Sequence, residues 1–203
     1  MKYTIIILLV AFLVGGYLMV TYQSSEVTNQ VSSGTTIVAV GDSLVAGVGA
    51  TQGNDFVSVL SKRIAEPIVN LGRSGDTTED VLLRMDEVLE QDPKVVLVLV
   101  GGNDYLKNIP RVETFANLEQ IIQTIQDSGS AVLLLGVRGG ILRDEYKSEF
   151  SALADKYNTG YVSNVLEDTL GRRELMSDLI HPNDAGYKII ADRVQPELEL
   201  LLQ

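Results

Sequence analysis

The sequence predicts an α/β fold of three layers, in which helices cover both faces of a five-stranded parallel sheet. Three observations support this prediction. From Thr36 onward, short apolar runs alternate with amphipathic stretches, which is the pattern of repeated strand–helix units. Residues 95–100 read VVLVLV, a run that is apolar on both faces, as expected of a strand covered on each side. Glycine-rich turns follow three of the predicted strands, where parallel folds bind their ligands.

The predicted strands are the short apolar runs at residues 37–40, 67–70, 95–100 and 131–136, with a weaker one at 160–162. The amphipathic stretches between and after them predict helices at residues 56–65, 78–91, 112–128, 144–157 and 185–202. In the helix at 112–128, apolar residues recur at helical spacing; they are Phe115, Leu118, Ile121, Ile122 and Ile125. Parallel strands joined by helices imply right-handed crossovers.

The N-terminal segment predicts a membrane anchor or a signal peptide over residues 1–23. Residues 3–22 carry no charge, and at about 1.5 Å each they would span the roughly 30 Å hydrocarbon core. Lys2 precedes this run and Glu26 is the first charge after it, which favours the N-terminus inside and the rest of the chain outside the cytoplasm. The length of the run favours an uncleaved anchor over a secreted, cleaved form.

After this segment, residues 24–35 are polar and rich in serine and threonine, which predicts a linker, and residues 36–203 form one predicted domain. The formal net charge of the chain is −11, which argues against nucleic acid as a partner. The absence of cysteine excludes disulfides and a thiol nucleophile. The chain also has only one histidine, so carboxylates are the main metal ligands that remain, and we expect no metal site.

The single histidine, His181, has a carboxylate three residues before it, at Asp178. Histidine is the side chain suited to act as a base near neutral pH, and this spacing lets the carboxylate accept its Nδ1 proton. A candidate nucleophile, Ser43, follows the first predicted strand in the turn Gly-Asp-Ser-Leu. Taken singly, His181 could be a surface residue and Ser43 could merely cap a helix.

Two further turns offer hydrogen-bond donors for a developing oxyanion. Gly75 has no side chain to hinder close approach to its peptide N–H, and Asn103 has a side-chain amide. The peptide N–H of Ser43 is a third candidate donor. Each turn alone has a composition typical of ordinary turns, but all three belong on one rim of the predicted sheet. In the third turn, Tyr105 and Leu106 either line an acyl pocket or pack the loop.

These segments resemble the four sequence blocks of the SGNH hydrolases, also called GDSL esterases and lipases. The blocks are Gly41-Asp42-Ser43-Leu44, Ser74-Gly75-Asp76, Gly101-Gly102-Asn103-Asp104 and Asp178-Leu179-Ile180-His181-Pro182-Asn183. The letters of the family name fall on Ser43, Gly75, Asn103 and His181, with Gly72 as an alternative second-block glycine. The resemblance implies a flavodoxin-like sheet and a Ser–His–Asp triad of Ser43, His181 and Asp178. It also implies an oxyanion hole of Ser43, Gly75 and Asn103, and catalysis without a metal or a cofactor.

The chain is most similar in size and pattern to small bacterial arylesterases, lysophospholipases and thioesterases. This resemblance implies a serine esterase, and the N-terminal segment suggests lipid-derived or small acyl esters outside the cytoplasm as substrates. Two alternatives are a carbohydrate O-acetyl esterase and a non-catalytic envelope domain that uses the same fold for binding or scaffolding. A phosphate or nucleotide binder is disfavoured, because the first turn lacks the Gly-Lys-Ser/Thr ending of phosphate-binding loops.

Overall fold

A computed structural model describes residues 29, 34–139, 144 and 146–203. Its strands are β1 (Thr36–Gly41), β2 (Ile68–Gly72), β3 (Pro93–Leu99), β4 (Ala131–Leu135) and β5 (Gly160–Val162). All neighbouring strands are parallel, in the order β2-β1-β3-β4-β5. The predicted α/β class and five-stranded parallel sheet are therefore confirmed.

The helices of the described residues are α1 (Ser43–Ala46), α2 (Phe56–Ile64), α3 (Thr78–Leu83), α4 (Met85–Leu89), α5 (Gly102–Leu106), α6 (Arg111–Asp127), α7 (Lys147–Tyr157) and α8 (Asp184–Leu201), with a 3-10 turn at Arg173–Leu175. Helix α2 packs against α8, whereas α6 packs against α3, α4 and α7. The chain runs from β1 to β2 and then back past β1 to β3. Right-handed crossovers in opposite directions place these two helix groups on opposite faces of the sheet.

The core lies around the three central strands. The side chains of Ile37 through Val40 in β1 and of Val95 through Leu99 in β3 are fully buried, as are those of β4. Helices cover both faces of these strands, so both sets of alternating side chains must be apolar. The edge strands β2 and β5 are only partly buried. The central strands thus form a rigid base for the turns at their carboxyl ends.

The structure divides the predicted helix at 78–91 into α3 and α4. The break lies at Arg84, whose backbone (φ −118°, ψ 24°) leaves the helical region while its side chain turns into the protein. Helices α1 and α5 were not predicted, because four or five residues are too few to show helical periodicity. The helix predicted at residues 144–157 was placed too early at its start. The Asp144 carboxylate accepts the Tyr146 and Lys147 N–H groups, and α7 starts only after them.

The predicted anchor or signal peptide at residues 1–23 lies outside the described residues. Within the described part of the chain, no helix is long and apolar enough to cross a membrane. Asn29, from the predicted linker, contacts the amino end of β4: its side chain accepts the Val132 N–H at 2.6 Å and donates to the Val132 carbonyl at 3.1 Å. β5 pairs with β4 only from Leu133 onward, so the Asn29 amide occupies the position next to Val132 where a strand residue would lie.

Candidate active site

Three turns meet at the carboxyl ends of β2, β1 and β3. Gly41, the last residue of β1, is in register with Gly72 of β2 and Leu99 of β3, so the three strands end level with one another. The chain reverses direction across the sheet at β1, which is the switch point where parallel α/β folds form their binding crevice. The predicted turns therefore lie side by side on one rim.

Ser43 begins α1 immediately after β1. The Asp42 carboxylate caps this helix by accepting the Leu44 N–H at 2.9 Å, so the alternative in which Ser43 is a capping residue is wrong. As the first residue of the helix, Ser43 has a peptide N–H with no acceptor inside the helix. Its hydroxyl and its N–H are both available at the rim.

A short antiparallel turn over residues 176–182 presents Asp178 and His181. Met176 pairs with Pro182, and the Ser177 N–H donates to the His181 carbonyl at 2.9 Å. The loop after α1 packs closely against this turn at Gly49, which has a φ of +96°. A Cβ atom at residue 49 would lie 2.3 Å from the Ser177 hydroxyl oxygen, so the close contact requires glycine.

The side chains of Ser43, His181 and Asp178 form a continuous hydrogen-bonded relay. His181 Nε2 lies 3.0 Å from Ser43 Oγ, and His181 Nδ1 lies 2.7 Å from Asp178 Oδ2. The other carboxylate oxygen of Asp178 accepts the N–H groups of Ile180 and His181, each at 2.8 Å. The hydrogen bond from His181, supported by these two, lowers the pKa of Asp178 to about 2. The carboxylate therefore stays ionised and orients the imidazole.

Asn103 and Gly75 lie in the turns on either side of Ser43. The Asn103 side chain donates one of its two amide hydrogens to the Asp76 carbonyl at 2.9 Å, which leaves the other for a ligand. Gly75 has a φ of +91°, a conformation that favours glycine, and its carbonyl accepts a hydrogen bond from Lys107. Asn103 lines the same cavity as Ser43, and Gly75 lies in the neighbouring turn.

A cavity of about 180 Å³ opens at Ser43 and His181. Its wall is mostly apolar; the apolar lining residues are Leu44, Tyr105, Leu106, Val137, Leu166, Leu170, Leu179 and Ile180. Tyr105 and Leu106 both line this cavity. Leu179, between Asp178 and His181, is 92% exposed at the mouth of the cavity. An apolar wall next to a polar relay can hold a substrate whose reacting group is polar and whose remainder is apolar.

Two charged residues beneath the site were not predicted to have a role. Asp42 is only 3% exposed, and burial raises its pKa from 3.8 to about 7. Arg84 is 7% exposed and donates to the Asp76 carboxylate and to the Gly41 carbonyl. A signal for Arg84 is present in the sequence: it lies on the apolar stripe of its helices, between Val81 and Val88, where a cation is unexpected.

Residues 39–189 match the GDSL-like Lipase/Acylhydrolase family. The chain belongs to this family, known also for its SGNH blocks, and it is a carboxylic ester hydrolase. It is 31% identical to the esterase TesA of Pseudomonas aeruginosa over 185 residues, which are 85% of this chain and 92% of that protein. It is 28% identical to thioesterase 1/protease 1/lysophospholipase L1 of Escherichia coli over 184 residues, 86% of this chain and 88% of that protein.

Solved structures agree with this assignment. A crystal structure of TesA is 31% identical in sequence and superposes with a TM-score of 0.76, over 82% of this chain and 99% of that one. The psychrotrophic esterase EstA of Pseudoalteromonas sp., in a structure inhibited by monoethylphosphonate, is 27% identical with a TM-score of 0.73, over 82% of this chain and 98% of that one. The predicted family, fold and enzyme class are confirmed.

Proposed function

We propose that the chain is a serine esterase in which Ser43 is the nucleophile, His181 the general base and Asp178 the residue that orients the base. The observation that carries this proposal is the relay of 3.0 Å and 2.7 Å contacts that ends at Ser43, at the opening of an apolar cavity. A surface serine paired by chance would not be expected at the switch point of the sheet, beside a cavity.

The relay supports acyl transfer in two steps. His181 Nε2 takes the hydroxyl proton of Ser43 as Oγ attacks the ester carbonyl carbon, and the resulting imidazolium gives that proton to the leaving alcohol. Water then attacks the acyl-serine, with His181 again taking a proton and returning it to Ser43 Oγ as the acid leaves. Asp178 stabilises the imidazolium in both steps through the Nδ1 hydrogen bond.

The oxyanion of each tetrahedral intermediate would lie between the peptide N–H groups of Ser43 and Gly75 and the side-chain N–H of Asn103. The hydrogen bond from Asn103 to the Asp76 carbonyl fixes the amide plane before substrate arrives, so little reorganisation is needed in the transition state. Removing one such donor typically costs about 2.7–4 kcal/mol of transition-state stabilisation.

The cavity supports an ester with an apolar acyl chain as substrate. With p-nitrophenyl acetate, butyrate and hexanoate, we expect kcat/KM to rise with chain length, by about fourfold per methylene, because each buried CH₂ contributes about 0.8 kcal/mol. The rise should stop when the cavity is filled. A maximum at acetate, accompanied by release of acetate from an acetylated polysaccharide, would instead favour the O-acetyl esterase. A folded protein that hydrolyses none of these esters would favour the alternative of a non-catalytic binding or scaffolding domain.

Turnover should be lost at acidic pH because the general base, His181, is protonated, and not because the Asp178 carboxylate is. A protonated imidazole cannot accept the serine proton, whereas Asp178, with a pKa of about 2, remains ionised throughout the useful pH range. We expect kcat/KM for p-nitrophenyl butyrate to fall tenfold per pH unit below the acid midpoint, as for loss of one proton acceptor. A profile that is flat down to pH 4 would contradict the assigned base. Intrinsic fluorescence from tyrosine, followed in parallel, separates this loss from unfolding.

The apolar, uncharged run at residues 3–22 supports a location outside the cytoplasm. Lipid-derived acyl esters and small acyl esters are the substrates that this location and the apolar cavity favour together. A cytosolic acyl thioester fits the location less well, although the same relay could hydrolyse it.

A further inference from the structure

The guanidinium of Arg84 lies beneath the rim, buried among the turns that carry the proposed nucleophile and oxyanion donors. The side chain is 7% exposed, and it does not line the substrate cavity. Helix α3 ends and α4 begins at this residue, so the backbone is not helical where the Arg84 side chain turns inward. A long charged side chain is seldom buried in this way unless its donors have specific acceptors. Nε and Nη2 of Arg84 have them, whereas Nη1 is buried without a hydrogen-bond partner among the described residues.

Arg84 has acceptors in two of the three turns. Its Nη2 donates to the Gly41 carbonyl at 3.2 Å, two residues before Ser43. Its Nε donates to the Asp76 carboxylate at 2.8 Å, one residue after Gly75. The main-chain carbonyl of Asp76 is in turn the acceptor for the Asn103 side chain, at 2.9 Å.

These contacts connect the nucleophile turn to both turns that supply oxyanion donors. A guanidinium is planar, and its N–H groups diverge at fixed angles, so two acceptors bound to it are held at a defined separation. The pair with the Asp76 carboxylate is charge-assisted and only 15% and 7% exposed on its two side chains, so water competes little with it.

We propose that Arg84 is a positioning residue that sets the spacing between Ser43 and the Gly75 and Asn103 donors. This inference rests on the proposed esterase function. It predicts that the guanidinium acts on the transition state and not on substrate binding, because it reaches the oxyanion site only through Gly41 and Asp76.

The competing explanation is that Arg84 only neutralises nearby acids. Asp76, the carboxylate that contacts it, is largely buried, and a cation beside that carboxylate would stabilise the fold whatever its shape. Lysine separates the two explanations, because it keeps the positive charge but cannot direct two fixed donors at Gly41 and Asp76.

The test is Arg84→Lys in the full chain, with Arg73→Lys as the matched control. Arg73 lies in the turn before Gly75, and its side chain forms an exposed ion pair with Glu87. The control therefore makes the same change nearby without altering the contacts of Arg84 with Gly41 and Asp76. For each protein, kcat and KM for p-nitrophenyl butyrate are measured per active site, titrated with a phosphonate ester, alongside the thermal midpoint.

We expect Arg84→Lys to lower kcat per titrated site by about 10- to 100-fold, as for an ångström-scale misplacement of reacting groups, with KM within twofold. Arg73→Lys should match the wild type. A kcat per site within twofold of wild type in Arg84→Lys would overturn the inference, as would a loss expressed only in KM. Turnover that survives Ser43→Ala would overturn the proposed function and this inference together, whereas a normal Arg84→Lys beside an inactive Ser43→Ala refutes this inference alone.

A second variant covers the case in which lysine prevents folding. Asp76→Asn combined with Arg84→Met removes both charges, so that neither is left buried without its partner. We expect this double variant to fold and to show the same loss of kcat per site, because the link to Gly41 is gone. Wild-type kcat per site in the double variant would overturn the inference.

Discussion

Ser43→Ala should lower kcat/KM for p-nitrophenyl butyrate by about 10³-fold or more. The substitution removes the attacking oxygen and leaves only the stabilisation that the oxyanion donors and substrate binding provide. The fold should be unaffected, because the hydroxyl is a single small group at the start of α1, and its hydrogen bond is to the His181 ring at the rim. Steady-state kinetics together with a thermal melt measure both quantities on the same sample.

Ser148→Ala is a matched control for this result. The Ser148 hydroxyl is exposed at the start of α7 and donates only to the adjacent Glu149 side chain at 2.7 Å, so its loss should change kcat/KM by less than twofold. Comparable activity in Ser43→Ala and Ser148→Ala would show that the relay does not carry the hydrolysis.

Asp42→Asn should raise the free energy of unfolding above that of the wild type, and the gain should be larger at alkaline pH than at acid pH. Burial raises the pKa of Asp42 from 3.8 to about 7, so the folded protein holds this proton more tightly than the unfolded chain does. As pH rises from about 4 to about 7, the unfolded chain releases the proton first, and the wild type loses stability over that window. Asparagine keeps an acceptor for the Leu44 N–H and cannot ionise.

The size of this effect follows from the two pKa values. The difference between about 7 and 3.8 corresponds to at most about 4 kcal/mol. Urea unfolding at pH 5 and pH 8 should give a gain for Asp42→Asn that is about 2–3 kcal/mol larger at pH 8, because part of the penalty is already present at pH 5. Equal gains at the two pH values would show that Asp42 does not retain its proton in the fold.

Asp80→Asn provides a control of opposite sign. Hydrogen bonds from the Thr77 N–H and hydroxyl lower the pKa of Asp80, so its ionised form is favoured in the folded protein. Its stabilisation is present above the unfolded pKa and is lost as pH falls, so the asparagine variant should lose stability at pH 8 and not gain it. The pair of variants therefore separates the buried acid, Asp42, from the exposed acid, Asp80.

The sheet was predictable because its physical signal is local. A run such as VVLVL in β3 has no polar face, so it must be covered on both sides whatever the rest of the chain does. The order of turns along the chain, together with the rule that parallel strands place their carboxyl ends on one edge, was enough to bring Ser43 and Asn103 to one rim. Asp178 and His181 are close in sequence, so their contact required only a turn.

The roles of the residues beneath and around the site could not be predicted in the same way. An aspartate in a turn is ordinarily solvated, and only the tertiary packing shows that Asp42 is buried and holds its proton near neutral pH. Arg84 lies in a segment whose periodicity predicts one continuous helix, and the acceptors that break it, Gly41 and Asp76, come from other turns. The cavity wall combines residues as distant in sequence as Leu44 and Leu170, which no local pattern relates.

The central claim, that Ser43 is the nucleophile, is tested most directly by trapping it. The protein is incubated with ethyl p-nitrophenyl methylphosphonate, whose phosphorus forms a bond to the attacking oxygen as p-nitrophenolate leaves, and its peptides are then mapped by mass spectrometry. We expect one adduct per chain, on the peptide containing Ser43, with esterase activity falling in proportion to labelling. An adduct on a different residue that accounts for the lost activity, or full hydrolysis by protein labelled at Ser43, would contradict the proposed mechanism.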